Sequence, residues 1–309
     1  MRAPNVVLVP VLAVLALLAA ACSDDATVDA GADVPDGPTI TIGAQDFGES
    51  AILAELYGQA LSDAGYPVEQ QSLGGFRDVV YTSFASGDIN FTAEYAASAL
   101  EFLNGGAGEA SSDVDATVEA FGAALEAEGL VAYEASPAQN SNSFVVTEET
   151  ATSLGLSKVS DLTEELRLGG PPDCTENASC LPGLQEVYGI DLSGGFTPLD
   201  GGGPLTVAAL EGGEIDAAIL FSTDGTIADR GWVVLEDDKG LINADNIIPA
   251  TSEAVADAYG TDLADRVNAV SAALTTEELT ELNRQVSIDL LDPDAVATDW
   301  LTANGLLDG

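Results

Sequence analysis

Thr39, Ile40, Thr41 and Ile42 alternate polar with apolar side chains, and this period of two predicts a strand closed by Gly43. Helical spacing then takes over. Ile52, Leu53, Leu56, Tyr57, Ala60 and Leu61 gather on one face of a helix that Gly65 stops. A second helix, opened by Gly74-Gly75, leads to a strand that ends on Glu94-Tyr95. Residues 44–49 thus join a strand's carboxyl end to a helix's amino end, where open α/β sheets place their ligands. They form a candidate ligand loop, with an ordinary connection as the plain alternative.

The same order continues downstream. Val114, Val118, Phe121 and Leu125 predict a helix before Gly129, and residues 130–133 a strand. Residues 139–143 make a polar crossing into the apolar strand Phe144-Val145-Val146. Further strand and helix units are expected at 154–162, 166–168, 181–188, 205–210 and 217–221, whereas 264–274, 277–290 and 295–301 read as helices. One motif occurs twice. Gly87-Asp88-Ile89-Asn90 precedes FTAEY and Gly213-Glu214-Ile215-Asp216 precedes AAILF, each leading a helix into a strand with an aromatic far end, Tyr95 or Phe221. The expected fold class is α/β with two lobes and a helical C-terminal portion. Residues 39–142 form the first part of lobe 1, 143–248 lobe 2, and 249–309 the return to lobe 1.

The first residues say where the chain works. Arg2 precedes a long apolar run, residues 6–21, that ends in Ala19-Ala20-Ala21-Cys22, the composition of a secretory signal. The small residues before Cys22 resemble a bacterial lipobox, which implies a signal peptide over 1–21 and a lipidated Cys22. Each buried acyl methylene would then contribute about 0.8 kcal/mol to membrane anchoring. Residues 22–38 carry five aspartates among Ala, Gly and Pro, too little apolar material to offset the entropy of ordering, and are expected to be an acidic tether. The location expected is extracytoplasmic, at the cell membrane.

Charge and composition narrow the partners. Eight basic side chains stand against 52 acidic ones, a formal net charge of −44, so nucleic acid and anionic membrane surfaces are poor partners for the body, since binding them needs basic patches. A saline habitat and a lineage bias toward acidic secreted proteins both account for this balance. With 46% hydrophobic residues the chain still has ample material for a core. Cys174 and Cys180, six apart in a chain without histidine, read as a local disulfide and not a metal site. Catalysis has no visible machinery either, since neither cysteine has a base partner and Gly201-Gly202-Gly203-Pro204 reads as a turn. No metal or cofactor is expected, and the chain is taken as a monomer.

The segments IGAQDFGESAILAELY, GDINFTAEY, SKVSDL, CLPGLQEVYG, FSTDG, VVLEDDKG and LTTEELTELNRQVSIDLLDPDAVATDWL, in this order, resemble the substrate-binding proteins of osmoprotectant (glycine betaine, carnitine, choline) ABC transporters. The resemblance implies a two-lobed, type II-like periplasmic-binding-protein fold, hinged near residues 140–143 and 247–251, that encloses a small solute and delivers it to a permease. A solute-sensing or partner-binding lipoprotein of the same fold is the other reading. The family holds a quaternary ammonium group in an aromatic cage, because ring faces attract a cation that cannot donate hydrogen bonds. Carried over by position, this implies Tyr95, Phe144 and Phe221 as cage residues and Ser98 as a contact to the ligand's carboxylate. Gln45 stands in place of a lysine found in some relatives, the arginine expected in the cysteine loop is missing, with Glu176 and Asn177 nearby instead, and Asp245 or Asn246 stands in place of a further cage aromatic. Arg77 remains as the candidate carboxylate anchor, while Asp46 and Asp245 favour a cation such as choline.

Overall fold

The computed structural model describes residues 36–75, 77–200 and 203–307. The expected signal peptide, Cys22 and the expected tether up to residue 35 lie outside the described residues. In chain order the described strands are β1 (Ile40–Ala44), β2 (Val68–Ser72), β3 (Phe91–Tyr95), β4 (Leu130–Ala132), β5 (Asn142–Val146), β6 (Leu168–Gly170), β7 (Thr197–Pro198), β8 (Ala217–Phe221), β9 (Val233–Val234) and β10 (Ile247–Ser252). They build two sheets, ordered β2-β1-β3-β10-β4 and β7-β6-β8-β5-β9. Three neighbouring strands of each sheet pair in parallel, a strand from the crossing regions enters antiparallel (β10 beside β3, β5 beside β8), and the outer strand, β4 or β9, pairs antiparallel to it in turn.

The repeated Gly-acid-Ile motif marks one packing unit used twice. β3 and β8 hold the same place in their sheets, and Gly87 and Gly213 turn the chain into them at φ of 78° and 65°, angles at which a side chain would be strained. Ile89 then fills the space over Gly43 of β1, and Ile215 the space over Gly169 of β6, where an added Cβ would come within 2.7 and 2.5 Å. Both isoleucines are buried.

Each sheet is covered on both faces. Helix Gly48–Asp63 packs with helices Glu253–Ala273 and Pro293–Ala303 over Ile40, Ile42, Phe91 and Ile247, while Ala96–Leu103 and Val114–Ala127 cover Ile248 and Ala250 on the other side. The pleat sends neighbours in β10 to opposite faces. In the second sheet Phe144, Val146, Leu168 and Ile219 join the core that includes Cys174 and Cys180, and Val145, Ala218 and Leu220 join the core around Trp232. The two cysteines are bonded to each other.

Several elements depart from their sequence-based positions. β2, with the sequence VEQQS, escapes a hydrophobic reading because four of its five residues are exposed at the sheet edge. The unit expected at 154–162 divides into helix Glu148–Leu154 and the single turn Val159–Asp161, and the strand expected at 166–168 lies at Leu168–Gly170. Helix Glu253–Ala273 starts well before residue 264, where the Ser252 side chain accepts from the Val255 N–H, and it is interrupted at Gly260. The next helix, Thr276–Ser287, stops before residue 290, and Leu290 lies at φ 58°.

The two passages between the sheets run side by side. Gln139 pairs with Asn246, the Asn140 N–H donates to the Asp245 carbonyl at 3.0 Å, and the Ile247 N–H donates to that of Ala138 at 3.0 Å.

Candidate functional site

The carboxyl ends of β1, β3 and β8 and both crossings meet around a cavity of about 470 Å³ lined by Gln45, Phe47, Arg77, Tyr95, Ser98, Asn140, Phe221 and Asp245. That volume suits a small molecule. Gln45 and Phe47 come from the loop after β1, Tyr95 ends β3, Ser98 lies in the first turn of helix Ala96–Leu103, and Arg77 opens helix Arg77–Ser86. Phe221 ends β8 and keeps 53% of its surface exposed, an unusual state for a large apolar side chain at a strand end. The Phe47 and Tyr95 rings stand 6.1 Å apart, inclined by 36°. Aromatic faces from both lobes therefore border one space.

Polar groups around it are strongly engaged. The Glu94 carboxylate, fully buried, accepts from Arg77 Nε at 3.1 Å and Nη2 at 3.0 Å. Burial pushes the Glu94 carboxyl above its ordinary range, and the guanidinium beside it offsets this only in part. Asp245 accepts from the Ser98 N–H at 2.9 Å and from the Ser98 hydroxyl; its carboxyl too is pushed up by burial, against the pull of those bonds. The Tyr95 hydroxyl donates to Glu49 Oε1 at 2.7 Å, and burial followed by this carboxylate holds its pKa well above the usual value. One guanidinium thus faces two carboxylates, with Glu49 behind Tyr95. In the lining itself the charged side chains are Arg77, which is taken up by Glu94, and Asp245.

Of the residues carried over from sequence, Gln45, Arg77, Tyr95, Ser98, Phe221 and Asp245 line this cavity together. Phe144 does not. It is 1% exposed, paired in register with Ile219 inside the second lobe's core, and borders a different hollow with Gln139, Ser222 and Thr276. Two residues into β5, its ring belongs to the sheet face and not to the strand mouth. Asp46 is exposed at the loop's outer side, its N–H donating to the Gly75 carbonyl at 2.9 Å. Phe47 and Asn140 complete the lining and were absent from the carried-over set. Phe47 could have been found as the aromatic residue of the candidate ligand loop; Asn140 carried only its place in the polar crossing. Among the described residues no cluster of metal-ligating side chains occurs, and no helix is long and apolar enough to cross a membrane.

Residues 38–303 match the family described as the substrate binding domain of ABC-type glycine betaine transport systems. The chain belongs to that family. It is 26% identical over 282 residues to the glycine betaine-binding protein YehZ of Escherichia coli strain K12, covering 86% of this chain and 90% of that one. It is equally, 26%, identical to the carnitine transport binding protein OpuCC of Listeria monocytogenes, with 88% of each chain covered. The fold agrees with solved structures of a glycine betaine/carnitine/choline ABC transporter protein (TM-score 0.77, 22% identity, 87% of this chain and 100% of the other) and of apo YehZ from E. coli (TM-score 0.77, 25% identity, with the same coverage). A family member of this kind is a two-lobed α/β protein that captures a small solute for an ABC importer, and the family is one of binding proteins.

Proposed function

We propose that this chain is an extracytoplasmic lipoprotein, anchored through Cys22, that holds a quaternary ammonium cation between its lobes and passes it to an ABC permease without chemical turnover. In this reading residues 39–142 and 249–309 form one lobe and 143–248 the other, moving about the paired crossings. Gln45, Phe47, Arg77, Tyr95, Ser98, Asn140, Phe221 and Asp245 receive the solute; Asp46 and Phe144 are left out because of where their side chains lie.

The observation that carries the proposal is the cavity itself, where Phe47, Tyr95 and Phe221 surround a space whose charged groups are Asp245 and the closed Arg77–Glu94 pair. A cation without hydrogen-bond donors is best held by ring faces, each contributing about 0.5 to 2 kcal/mol. A ligand carboxylate has a weaker place there, because Arg77 already satisfies Glu94. Choline is therefore favoured over glycine betaine, the solute named for the YehZ relative.

A thermal-shift screen against choline, glycine betaine, carnitine, ectoine, amino acids and polyamines tests this. A ligand at 100 times its dissociation constant stabilises by about 2.7 kcal/mol, so choline should give the larger upward shift. A shift with amino acids or ectoine alone would remove the quaternary ammonium reading.

A further inference from the structure

Glu49 is a buried carboxylate that the solute reading leaves unused. It sits in the first turn of helix Gly48–Asp63 with 6% exposure. An acid there complements the helix dipole without further partners, yet this one collects three. Oε1 accepts from the Tyr95 hydroxyl at 2.7 Å and from Asn140 Nδ2 at 2.6 Å, and Oε2 accepts from Asn283 Nδ2 at 2.5 Å.

The three donors belong to three different parts of the molecule. Tyr95 is the ring at the end of β3, Asn140 belongs to the outgoing crossing, and Asn283 lies on helix Thr276–Ser287. Asn283 also donates from the same nitrogen to the Thr223 carbonyl at 2.8 Å, in the loop that follows β8 of the second sheet. Two residues on, Gly225 lies so close to this helix that an added Cβ would come within 2.6 Å of the Arg284 backbone. Glu49 therefore touches the ring seat directly, a crossing directly, and the second lobe through one amide. Phe47, Asn140 and Phe221 of the main cavity also border a smaller hollow of about 260 Å³ whose lining includes Glu49, Thr223 and Asn283.

We infer that Glu49 is a positioning residue for the solute seat, coupling the cation-binding face of Tyr95 to the closure of the two lobes. Its carboxylate fixes the phenol in plane and draws its proton, which leaves the ring richer in electrons and a better face for a cation. The same carboxylate orients Asn140 and Asn283, whose contacts to the crossing and to Thr223 depend on how the lobes meet. In the sequence Glu49 is only the last residue of the candidate ligand loop. The inference rests on the proposed capture of a quaternary ammonium solute.

Choline chloride and tetramethylammonium chloride, titrated calorimetrically into wild type, Tyr95→Phe, Glu49→Gln and the double variant, decide it, with near-ultraviolet circular dichroism as the check on folding. Tyr95→Phe keeps the ring and removes only the hydroxyl, and affinity for both salts should fall about fivefold. Glu49→Gln should cost about tenfold alone but at most about threefold in the Tyr95→Phe background, because the two groups act through one bond. Equal losses from Glu49→Gln in both backgrounds, or wild-type affinity in Tyr95→Phe, overturn the inference while leaving the solute reading intact. If Glu49→Gln fails to fold, Tyr95→Phe decides alone. A wild type that binds neither salt overturns both readings together.

Discussion

Glu94 and Tyr95 are neighbours at the end of β3, and the strand's alternation sends them to opposite faces, one to Arg77 and the other to Glu49. This single step explains why the arginine in the cavity is a poor anchor for a carboxylate. Glu94→Gln should free the guanidinium, so that glycine betaine gains affinity relative to choline in parallel titrations. An unchanged preference would mean that Arg77 never reaches the solute. Acid has a related effect. Burial raises the carboxyls of both Glu94 and Asp245, so on lowering the pH from neutral they take up protons before exposed carboxylates, whose ordinary values are about 4. Choline affinity should therefore fall as the pH drops through these raised values. The sign for stability is the reverse, since a raised folded pKa contributes stability that is fully present below the unfolded value and lost as pH rises through the folded one. Titrations over this window check the first statement, and choline affinity that holds down to the ordinary carboxylate range would contradict it.

At the scale of elements, close backbone approach decides more than side-chain type. Gly225 begins helix Gly225–Arg230 against the backbone of Asn283 and Arg284, and Gly225→Ala should lower the melting temperature and weaken solute binding together, by forcing the second lobe away from helix Thr276–Ser287. Loss of stability with unchanged affinity would show that this contact does not report to the cleft. In the second lobe the Cys174–Cys180 bond closes a short loop, and replacing both cysteines by alanine should cost roughly 2 kcal/mol in urea unfolding on the chain-entropy model. β1 was legible from its alternation and β5 and β8 from apolar runs, and the Gly-acid-Ile repeat correctly placed two aromatics at matching strand ends, of β3 and β8. What was not legible has a physical cause in each case. β2 is a polar edge strand held by backbone bonds, and Phe144 looked like a cage residue because its distance from the strand mouth depends on where β5 begins, at Asn142. Phe47 and Glu49 gained their roles only when the loop after β1 folded against Tyr95.

The whole molecule is strongly acidic. Its formal charge of −44 should repel itself over a Debye length of about 10 Å at 0.1 M salt, so the melting temperature should rise with sodium chloride to a few tenths molar; a flat response would mean that the acids are spaced widely enough not to interact. Cys22→Ala should give a chain without lipid, which mass spectrometry of the mature N-terminus would reveal, and an unmodified wild-type chain starting elsewhere would remove the anchor. The central claim is that the space between the lobes holds a quaternary ammonium cation against aromatic faces. Calorimetric titration of choline into wild type and Tyr95→Ala tests it most directly. The account predicts binding to the wild type and a loss of about tenfold or more in the variant, since one ring of a desolvated cage contributes on the order of 1 to 2 kcal/mol; equal affinity in the two proteins would contradict it.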